Sequence, residues 1–433
     1  MYLIKLAFRS LFYRKRQYAS LFLVCVFGVA FSLFSIYLMN GMLHSLSSKA
    51  KIYYGGDLQW LRGDTAGSYW EVGKEIDAIR GFFPSDAIIS PRFDLDAATS
   101  AFYYEGVGVR QRVIKGVDFV NEKDLFAKFN FVSEDDGKAF DVSSIDGTNG
   151  VLLSERIAQM LTVKNGDVIT FMLYDCHGYL NTVELTVMGV FRDSSLFGMY
   201  TSYMDIKMLR KAFGYADSDF ANRIAISFTD RDLESAEIKL YEDSLAEKFN
   251  LFKVTDDKRV FYDAMPTMSE PTYALVPLAA NLKDVEILIE AMKIICSFII
   301  VMLVIIIIVG ISSTYRVLVM KRINEIGIYM AIGTKKWQIY ASLLFETMFL
   351  LFFGCAFGFL LSEILCFVSS FLSFSFVPAF DIFLVNGYLK PILSVSSTCN
   401  LIFVILLFSL LAVGWAVHKS VNVMPVKALA TTE

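Results

Sequence analysis

The chain has 433 residues, of which 55% are hydrophobic and 19% are charged, and its mean hydropathy is +0.51. This composition is too apolar for an ordinary soluble protein and indicates membrane-spanning segments. The formal net charge of −4 hides an uneven distribution. Residues 46–285 carry 26 Lys and Arg against 37 Asp and Glu, whereas the rest of the chain carries 14 against 7. The middle of the chain is therefore acidic and the remainder is basic.

Four apolar segments are long enough to cross a bilayer, because about 20 helical residues span its hydrocarbon core. The first has a basic lead-in, but it is longer than the apolar core of a signal peptide and lacks a small-residue cleavage site, so we interpret it as a retained span. The sequence therefore predicts an α-helical membrane protein with four transmembrane helices plus a large α+β extracytoplasmic domain inserted between spans one and two. The predicted spans are residues 18–45, 286–315 (with a stalk at its start), 340–371 and 397–418.

Basic residues predict which connections face the cytoplasm. The first 17 residues resemble an amphipathic helix at the membrane interface, ending in Arg14, Lys15 and Arg16, and the connection between spans two and three is also basic. By the positive-inside rule both face the cytoplasm. The cytoplasmic segments would be residues 1–17, 316–339 and 419–433, and the extracytoplasmic ones residues 46–285 and 372–396.

The inserted segment is predicted to fold on its own hydrophobic core. Cys176 is its only cysteine, so an intramolecular disulfide is excluded. Strand and helix signals alternate, which predicts an α+β domain with two subdomains. Among its local signals, Ser154 is a candidate N-cap and Gly214 is a candidate helix terminator.

Several kinds of chemistry are excluded by missing motifs. The chain has no G-x-x-x-x-G-K-[ST] loop, so it does not hydrolyse ATP by that mechanism, and its three histidines form no H-E-x-x-H. It also has no basic, aromatic-interleaved patch of the kind that binds nucleic acid. The centres of spans one, two and four carry no ionisable residue, which argues against a polar solute passing through the helices.

Residues 321–340, "KRINEIGIYMAIGTKKWQIY", have an elaborate pattern for a short connection. Apolar residues recur at steps of three and four, which predicts an amphipathic helix. Gly333 can end this helix in a left-handed conformation, and Thr334 can cap the next one. From the pattern alone, a helix lying on the membrane surface is an alternative to a docking surface.

Two further features lie in the third span. Gly354 and Gly358 form a Gly-x-x-x-Gly pair, which lets a neighbouring helix approach closely. Glu346 lies near the cytoplasmic end of the span, and we expect its side chain to reach the membrane interface.

The segment "RINEIGIYMAIGTKKWQIYASLLFETMFLLFFGCAFG" resembles the FtsX-like permeases of ABC systems, which include macrolide-exporter and lipoprotein-releasing types. "KLAFRSLFYRKRQ" is similar to the family's lead-in to span one, and "MPVKALA" to its closing Pro-x-x-x-Leu signature. "MNGMLHSL" resembles the lipoprotein-releasing subtype, with Met42 where Phe is usual. The matching positions are Arg322, Glu325, Ile326, Gly327, Ala331, Ile332, Gly333, Gln338, Ile339, Glu346, Gly354 and Gly358.

The resemblance implies a permease subunit that pairs with a second permease, identical or different, and binds a separate cytoplasmic ABC ATPase. ATP and Mg²⁺ would bind to that ATPase, and this chain would hold no cofactor and no metal and would not be an enzyme. The chain would lie in the bacterial inner membrane, and the connection between spans two and three would be a cytoplasmic coupling helix. Its coupling residues would be Arg322, Glu325, Ile326, Gly327, Met330, Ala331, Gly333, Lys335 and Lys336.

Three functions stay open. ATP-driven movement of the periplasmic domain could release lipoproteins from the inner membrane or export amphiphilic substrates. The same machinery could instead regulate an extracytoplasmic cell-wall hydrolase or a signalling partner. A membrane-anchored receptor or enzyme that needs no ATPase is the third alternative.

Overall fold

The structure is a computed structural model that describes residues 15–421, except 66, 130, 133–139, 194, 196, 217, 229–230, 232, 255, 375–377 and 386. These residues form two compact units. The helical unit comprises the described residues of Met1–Leu43, Ile289–Ser373 and Tyr388–Glu433. The inserted domain comprises those of His44–Leu288 and Phe374–Gly387. Arg14, most of the expected interfacial helix and the C-terminal Pro-x-x-x-Leu signature lie outside the described residues.

The α-helices of the described chain are α1 (Lys15–Tyr54), α2 (Gly73–Arg80), α3 (Lys123–Phe126), α4 (Glu155–Leu161), α5 (Ile206–Phe213), α6 (Ser235–Ala246), α7 (Arg259–Ala264), α8 (Leu278–Asn281), α9 (Lys283–Lys321), α10 (Ile323–Ala331), α11 (Lys336–Ser369) and α12 (Val395–Val421). Short 3₁₀ helices cover Val142–Ile145, Met265–Thr267 and Pro378–Phe383.

The β-strands are β1 (Leu58–Gly63), β2 (Trp70–Glu71), β3 (Ala87–Asp96), β4 (Ala101–Tyr104), β5 (Val107–Arg110), β6 (Val113–Val117), β7 (Gly150–Ser154), β8 (Val168–Tyr174), β9 (Leu180–Phe191), β10 (Thr201–Asp205), β11 (Phe220–Ala221), β12 (Arg223–Phe228) and β13 (Thr272–Pro277).

Within the described part of the chain, four helices are long and apolar enough to cross a membrane: α1, α9, α11 and α12. The inserted domain lies between the first and second of them, so the predicted fold class is confirmed. The helices themselves extend further than the predicted spans. α1 continues past residue 45 to Tyr54, and α9 continues past residue 315 to Lys321. The predicted limits followed the loss of apolar residues, whereas backbone hydrogen bonding continues through polar residues as well.

The core of the helical unit is built around α1. Its buried side chains recur at every fourth residue, which places them on one face of the helix: Leu21, Cys25, Val29, Leu33 and Tyr37. Gly28 lies directly against Ile307 of α9, because a Cβ at this position would come within 2.2 Å of the isoleucine side chain. Small residues of this kind let apolar helices approach closely in a membrane.

The inserted domain contains one 11-stranded sheet in the order β13-β1-β12-β3-β6-β10-β7-β9-β8-β4-β5. Two subdomains were expected, and the two halves of the sheet are joined by one long strand, β3. Residues 87–92 of β3 pair with β12, and residues 93–96 pair with β6. The hydrophobic side chains nevertheless form separate clusters, one built mainly on β1 and β12 and another mainly on β7, β8 and β9.

Two local predictions in this domain are confirmed. Ser154 caps α4, because its Oγ accepts a hydrogen bond from the backbone N–H of Ile157 at 3.3 Å. Gly214 ends α5 with φ of 100°, a left-handed conformation that glycine adopts without strain.

Candidate functional site

The connection between α9 and α11 is a nine-residue helix, α10, with a break at each end. α9 ends at Lys321, and Arg322 leaves the helical conformation with φ of −103° and ψ of 7° before α10 begins. At the other end, Gly333 has φ of 91°, so the predicted left-handed terminator is confirmed. The connection is therefore a separate short helix.

The end of α10 also corrects one prediction. The N–H of Gly333 donates to the carbonyl of Met330 at 3.1 Å, and the N–H of Thr334 donates to that of Tyr329 at 3.0 Å. This pair of bonds is a Schellman motif, so Thr334 closes α10 and does not cap α11. The N-cap of α11 is Lys335, whose N–H donates to the side chain of Gln338.

Three side chains from distant parts of the chain meet beside the start of α10. The Nη1 of Arg322 lies 2.5 Å from Oε2 of Glu346 on α11, and Nη2 lies 3.3 Å from Oε1. The hydroxyl of Tyr18 on α1 donates to Glu346 Oε2 at 2.6 Å and accepts from Arg322 Nη1 at 3.0 Å. Both charged side chains are buried. We call this group the Arg322 cluster.

The Arg322 cluster corrects the role expected for Glu346. Its side chain does not reach out to an interface, because it is only 2% exposed and its oxygens accept hydrogen bonds from Tyr18 and Arg322. An ionised carboxylate is stabilised far more by a buried bidentate guanidinium than by isolation among apolar groups. Of the other expected interface residues, Lys15 and Arg16 lie in the first turn of α1.

The residues expected to couple to an ATPase divide into three groups in the structure. Arg322, Ile326 and Gly327 are buried within this chain, so they present little surface to a partner. Glu325 and Met330 are half-buried. Those that stay exposed are Ala331, Gly333, Lys335 and Lys336.

The residues that recur at steps of three and four in this connection are Ile323, Ile326, Met330, Gly333, Trp337 and Tyr340. Part of this stripe faces inward. Ile326 belongs to the core of the helical unit, and Met330 packs against that core. The exposed apolar surface of α10 is made instead by Ile328, Tyr329 and Ile332, which are 50%, 43% and 76% exposed. We call these three residues, together with Lys335 and Lys336, the α10 face.

The glycine pair in α11 lies against α1. A Cβ on Gly354 would come within 2.7 Å of Cys25 Sγ, and one on Gly358 would come within 2.9 Å of the backbone carbonyl of Val26. Real Cβ contacts are not this close, so a larger residue at either position must displace α1 or its side chains.

Within the inserted domain, the last turn of α1 is held by a buried arginine. Arg92 Nη1 donates to the carbonyls of Ile52 and Tyr53 at 3.0 and 3.2 Å, and its Nε donates to both oxygens of the buried Glu122. The terminal carbonyls of a helix lack partners within the helix. Arg92 therefore fixes the end of α1 to β3.

A second buried cluster adjoins Arg92. Asp94 forms ion pairs with Lys115 and, at 3.1 Å, with Arg223. Burial, together with the charges of Arg223 and Arg92, lowers the pKa of Lys115 to about 7 despite the opposing effect of Asp94. Burial alone would raise the pKa of Asp94, but the same cations hold it below its usual value. The two acids of this region, Asp94 and Glu122, therefore lie beside three bases: Arg92, Lys115 and Arg223.

Sequence reasoning missed Tyr18 and the polar residues of the inserted domain that hold α1. Tyr18 looked like the first residue of an apolar span, and its partner is 328 residues away. Arg92 and Lys115 lie in strands whose sequence predicts burial. Because a charged side chain in such a strand needs a partner, their buried ion pairs could have been predicted. Among the described residues, no group of three His, Cys, Asp or Glu could hold a metal ion.

The four apolar helices, the large α+β domain between the first two and the short helix between the second and third are the architecture of a multi-span membrane protein with one large inserted domain. The MacB-like periplasmic core domain family matches residues 22–240, just over half of the chain. The FtsX-like permease C-terminal family matches residues 297–423. The chain therefore belongs to the FtsX-like permeases that carry a MacB-like periplasmic core domain.

Individual relatives add little to this assignment. A solved domain of a permease protein from Porphyromonas gingivalis is similar over 51% of this chain and 88% of that chain, with 12% sequence identity and a TM-score of 0.30. None of the curated proteins matches the chain.

Proposed function

We propose that this chain is the membrane subunit of an ABC complex in which a separate ATPase, carrying ATP and Mg²⁺, docks on the α10 face. The observation that carries the proposal is the exposure of Ile328, Tyr329 and Ile332 on a short helix between two spans. Large apolar side chains exposed next to one another are typical of a protein interface. The adjoining Lys335 and Lys336 are suited to meet acidic side chains of a partner. The absence of a P-loop from this sequence agrees with a separate subunit as the ATPase.

The docking proposal is tested by purifying the tagged chain from its host membranes and identifying retained ATPase subunits by mass spectrometry. Ile332→Glu places a charge in the centre of the α10 face, and we expect at least a tenfold loss of ATPase, since apolar anchors dominate interface energies. Val168→Glu in the inserted domain is the matched control, because Val168 is also an exposed apolar residue. Undiminished recovery with Ile332→Glu would contradict the proposal.

The proposed orientation places α10 and both termini in the cytoplasm and the inserted domain on the other side of the inner membrane. It is supported by the distribution of charge, since the connection between spans two and three carries five bases and one acid at 316–339.

Movement of the inserted domain is the proposed output. α1 runs unbroken from Lys15 to Tyr54, so the helix that forms the first span also enters the domain. There Arg92 holds its last carbonyls, and Lys49 forms ion pairs with Asp193 at 3.5 Å and with Asp381 at 2.9 Å. A continuous helix anchored at its end by buried polar bonds is suited to transmit displacement.

Lipoprotein release from the inner membrane, or export of amphiphilic molecules, is the proposed use of this movement, with a second permease subunit as partner. Support comes from the spans, whose centres offer no charged pathway for a polar solute. The apolar surface of α9 is also largely uncovered by the described residues. Depletion of the chain should retain lipoproteins in the inner membrane. Normal lipoprotein sorting together with altered cell-wall cleavage would favour a hydrolase regulator instead.

A further inference from the structure

We propose that the Arg322 cluster is a fixed joint that ties the start of α10 to spans one and three, so that α10 cannot move without turning those two helices. Arg322, Glu346 and Tyr18 act in this as positioning residues. The inference rests on the proposed function for its purpose, since α10 is the helix that would receive movement from the ATPase. Its geometry stands independently of that partner.

The backbone locates the joint at one residue. α9 ends at Lys321 and α10 begins at Ile323, so Arg322 alone lies between the two helices. Its own N–H donates to the carbonyl of Val319 at 3.0 Å, and its carbonyl accepts from the N–H of Ile326 at 3.0 Å. The residue is therefore bonded to both helices while its φ and ψ belong to neither.

The side chain of the same residue reaches two further helices. Its guanidinium binds both oxygens of Glu346 on α11, 24 residues along the chain, and the hydroxyl of Tyr18 on α1, 304 residues away. It also contacts Glu325 in the first turn of α10 at 3.5 Å. Because the guanidinium is planar and rigid, satisfying these acceptors together fixes its orientation.

A second polar contact joins α9 to α11 near the Arg322 cluster. Tyr315, near the end of α9, donates its buried hydroxyl to the backbone carbonyl of Leu343 on α11 at 2.9 Å. The end of α9 and the start of α10 are thus both bonded to α11, which restricts sliding of the connection along that helix.

Burial explains why these bonds would act as a joint and not as an adjustable contact. Ion pairs on the surface are screened by water and contribute little to stability. A buried pair that loses one member leaves an unpaired charge among apolar groups, which is strongly destabilising. The pair therefore has one favourable arrangement. An α10 that moved relative to α11 would have to separate Arg322 from Glu346, so the three helices move together.

The joint is tested by hydrogen–deuterium exchange of the full chain in lipid nanodiscs. Glu346→Gln and Arg322→Lys should each raise exchange of peptides covering residues 323–331 by about tenfold or more, because the helix is released from its anchors. Peptides covering residues 150–191 in the inserted domain should be unchanged. The exchanged pair Arg322→Glu with Glu346→Arg should restore most of the protection.

Two further variants keep the test decisive. Lys321→Ala, at the exposed neighbour of Arg322, is the matched control and should leave exchange at 323–331 unchanged. Tyr18→Phe removes only an uncharged hydroxyl and leaves Arg322 and Glu346 in place. It should raise exchange at 323–331 and gives a result even if the variants of the charged residues fail to fold. Wild-type protection in Tyr18→Phe and Glu346→Gln would overturn the joint.

The outcome is distinguishable from failure of the proposed function. Loss of protection at 323–331 in a chain that recovers no ATPase would leave the joint standing and remove the docking assignment. When an ATPase does co-purify, Glu346→Gln should retain it, because the α10 face is intact. The same variant should lose the ATP-dependent change in distance between spin labels that reports movement of the inserted domain. Retained movement in that variant would overturn the positioning role.

Discussion

Lys49 and Asp381, which are 332 residues apart, form an ion pair of 2.9 Å within the inserted domain. Lys49 lies near the end of α1, and Asp381 lies in the 3₁₀ helix between α11 and α12. The Nζ of Lys49 also donates to the backbone carbonyl of Asp381 at 2.6 Å. The loop that leads to the fourth span is therefore held by the helix that forms the first.

This pairing predicts a measurable coupling between the two side chains. Lys49→Met and Asp381→Asn should each destabilise the chain by about 1–3 kcal/mol, because each leaves a largely buried polar partner behind. For a folded unit of about 150–250 residues, the thermal midpoint should fall by about 2–4 °C for each kcal/mol of stability lost. The double variant should lose less stability than the sum of the losses in the two single variants. Lys128→Met, an exposed lysine of the same domain, is the control.

Lys115 predicts a dependence of stability on pH. Its pKa in the folded chain is about 7, below the value near 10.4 of an exposed lysine. Between these values the unfolded chain holds a proton that the folded chain lacks, so stability should rise from pH 7 towards pH 10 and not change through this group below pH 7. Lys115→Met should flatten the rise relative to wild type.

The matched control for this pH series is Lys207→Met, because Lys207 lies at the surface of the same domain. Thermal unfolding of the three proteins at pH 7, 8 and 9 provides the measurement. Curves for wild type and Lys115→Met that run parallel across this range would contradict the prediction.

The close approach of α11 to α1 predicts a steric effect at Gly358. Gly358→Leu should lower the thermal midpoint of the full chain in detergent, because even a Cβ would meet Val26 and Val29 of α1. Overpacking of this kind costs about 1–3 kcal/mol. Ala356→Leu on the exposed face of α11 adds a similar volume and should have little effect. Equal midpoints for the two variants would be the contrary result.

The proposed orientation predicts the labelling pattern of single cysteines. In a background without the six native cysteines, a cysteine at Ser235 should react in intact cells whose outer membrane is permeable to a reagent that cannot cross the inner membrane. A cysteine at Lys335 should react only after the inner membrane is opened. Both positions are exposed, so accessibility within the fold does not decide the result. The reverse pattern would require the opposite orientation.

Local features of this fold were predictable where a residue determines its own backbone. Gly333 and Gly214 end helices in left-handed conformations, and Ser154 caps a helix with its hydroxyl. Such signals depend on a few neighbouring residues and survive in any fold. Thr334 shows the limit, because the same residue type can close one helix or begin the next.

Orientation within the bundle was not predictable, because the spans are apolar on every side. The buried face of α1 follows Leu21, Cys25, Val29, Leu33 and Tyr37, but nothing in their chemistry separates them from exposed Leu23 or Phe27. Hydrophobic periodicity identifies a face only where polar residues mark the opposite one. For the same reason the pattern did not single out Ile328 and Ile332, which are exposed and also four residues apart.

Strand β3 has a consequence for the order in which the inserted domain can form during synthesis. One half of the sheet takes all its strands from residues 93–205, so it can assemble soon after that stretch of chain emerges. The other half combines residues 58–92 with strands at 223–228 and 272–277, which are made last. The first part of β3 must therefore stay without its partner strand while about 130 residues are added, and β1 while about 160 are added. Unpaired strand edges of this kind make a partly folded domain prone to aggregation. We expect a chaperone that binds exposed strands to increase the yield of the folded domain at that stage of biogenesis and not afterwards.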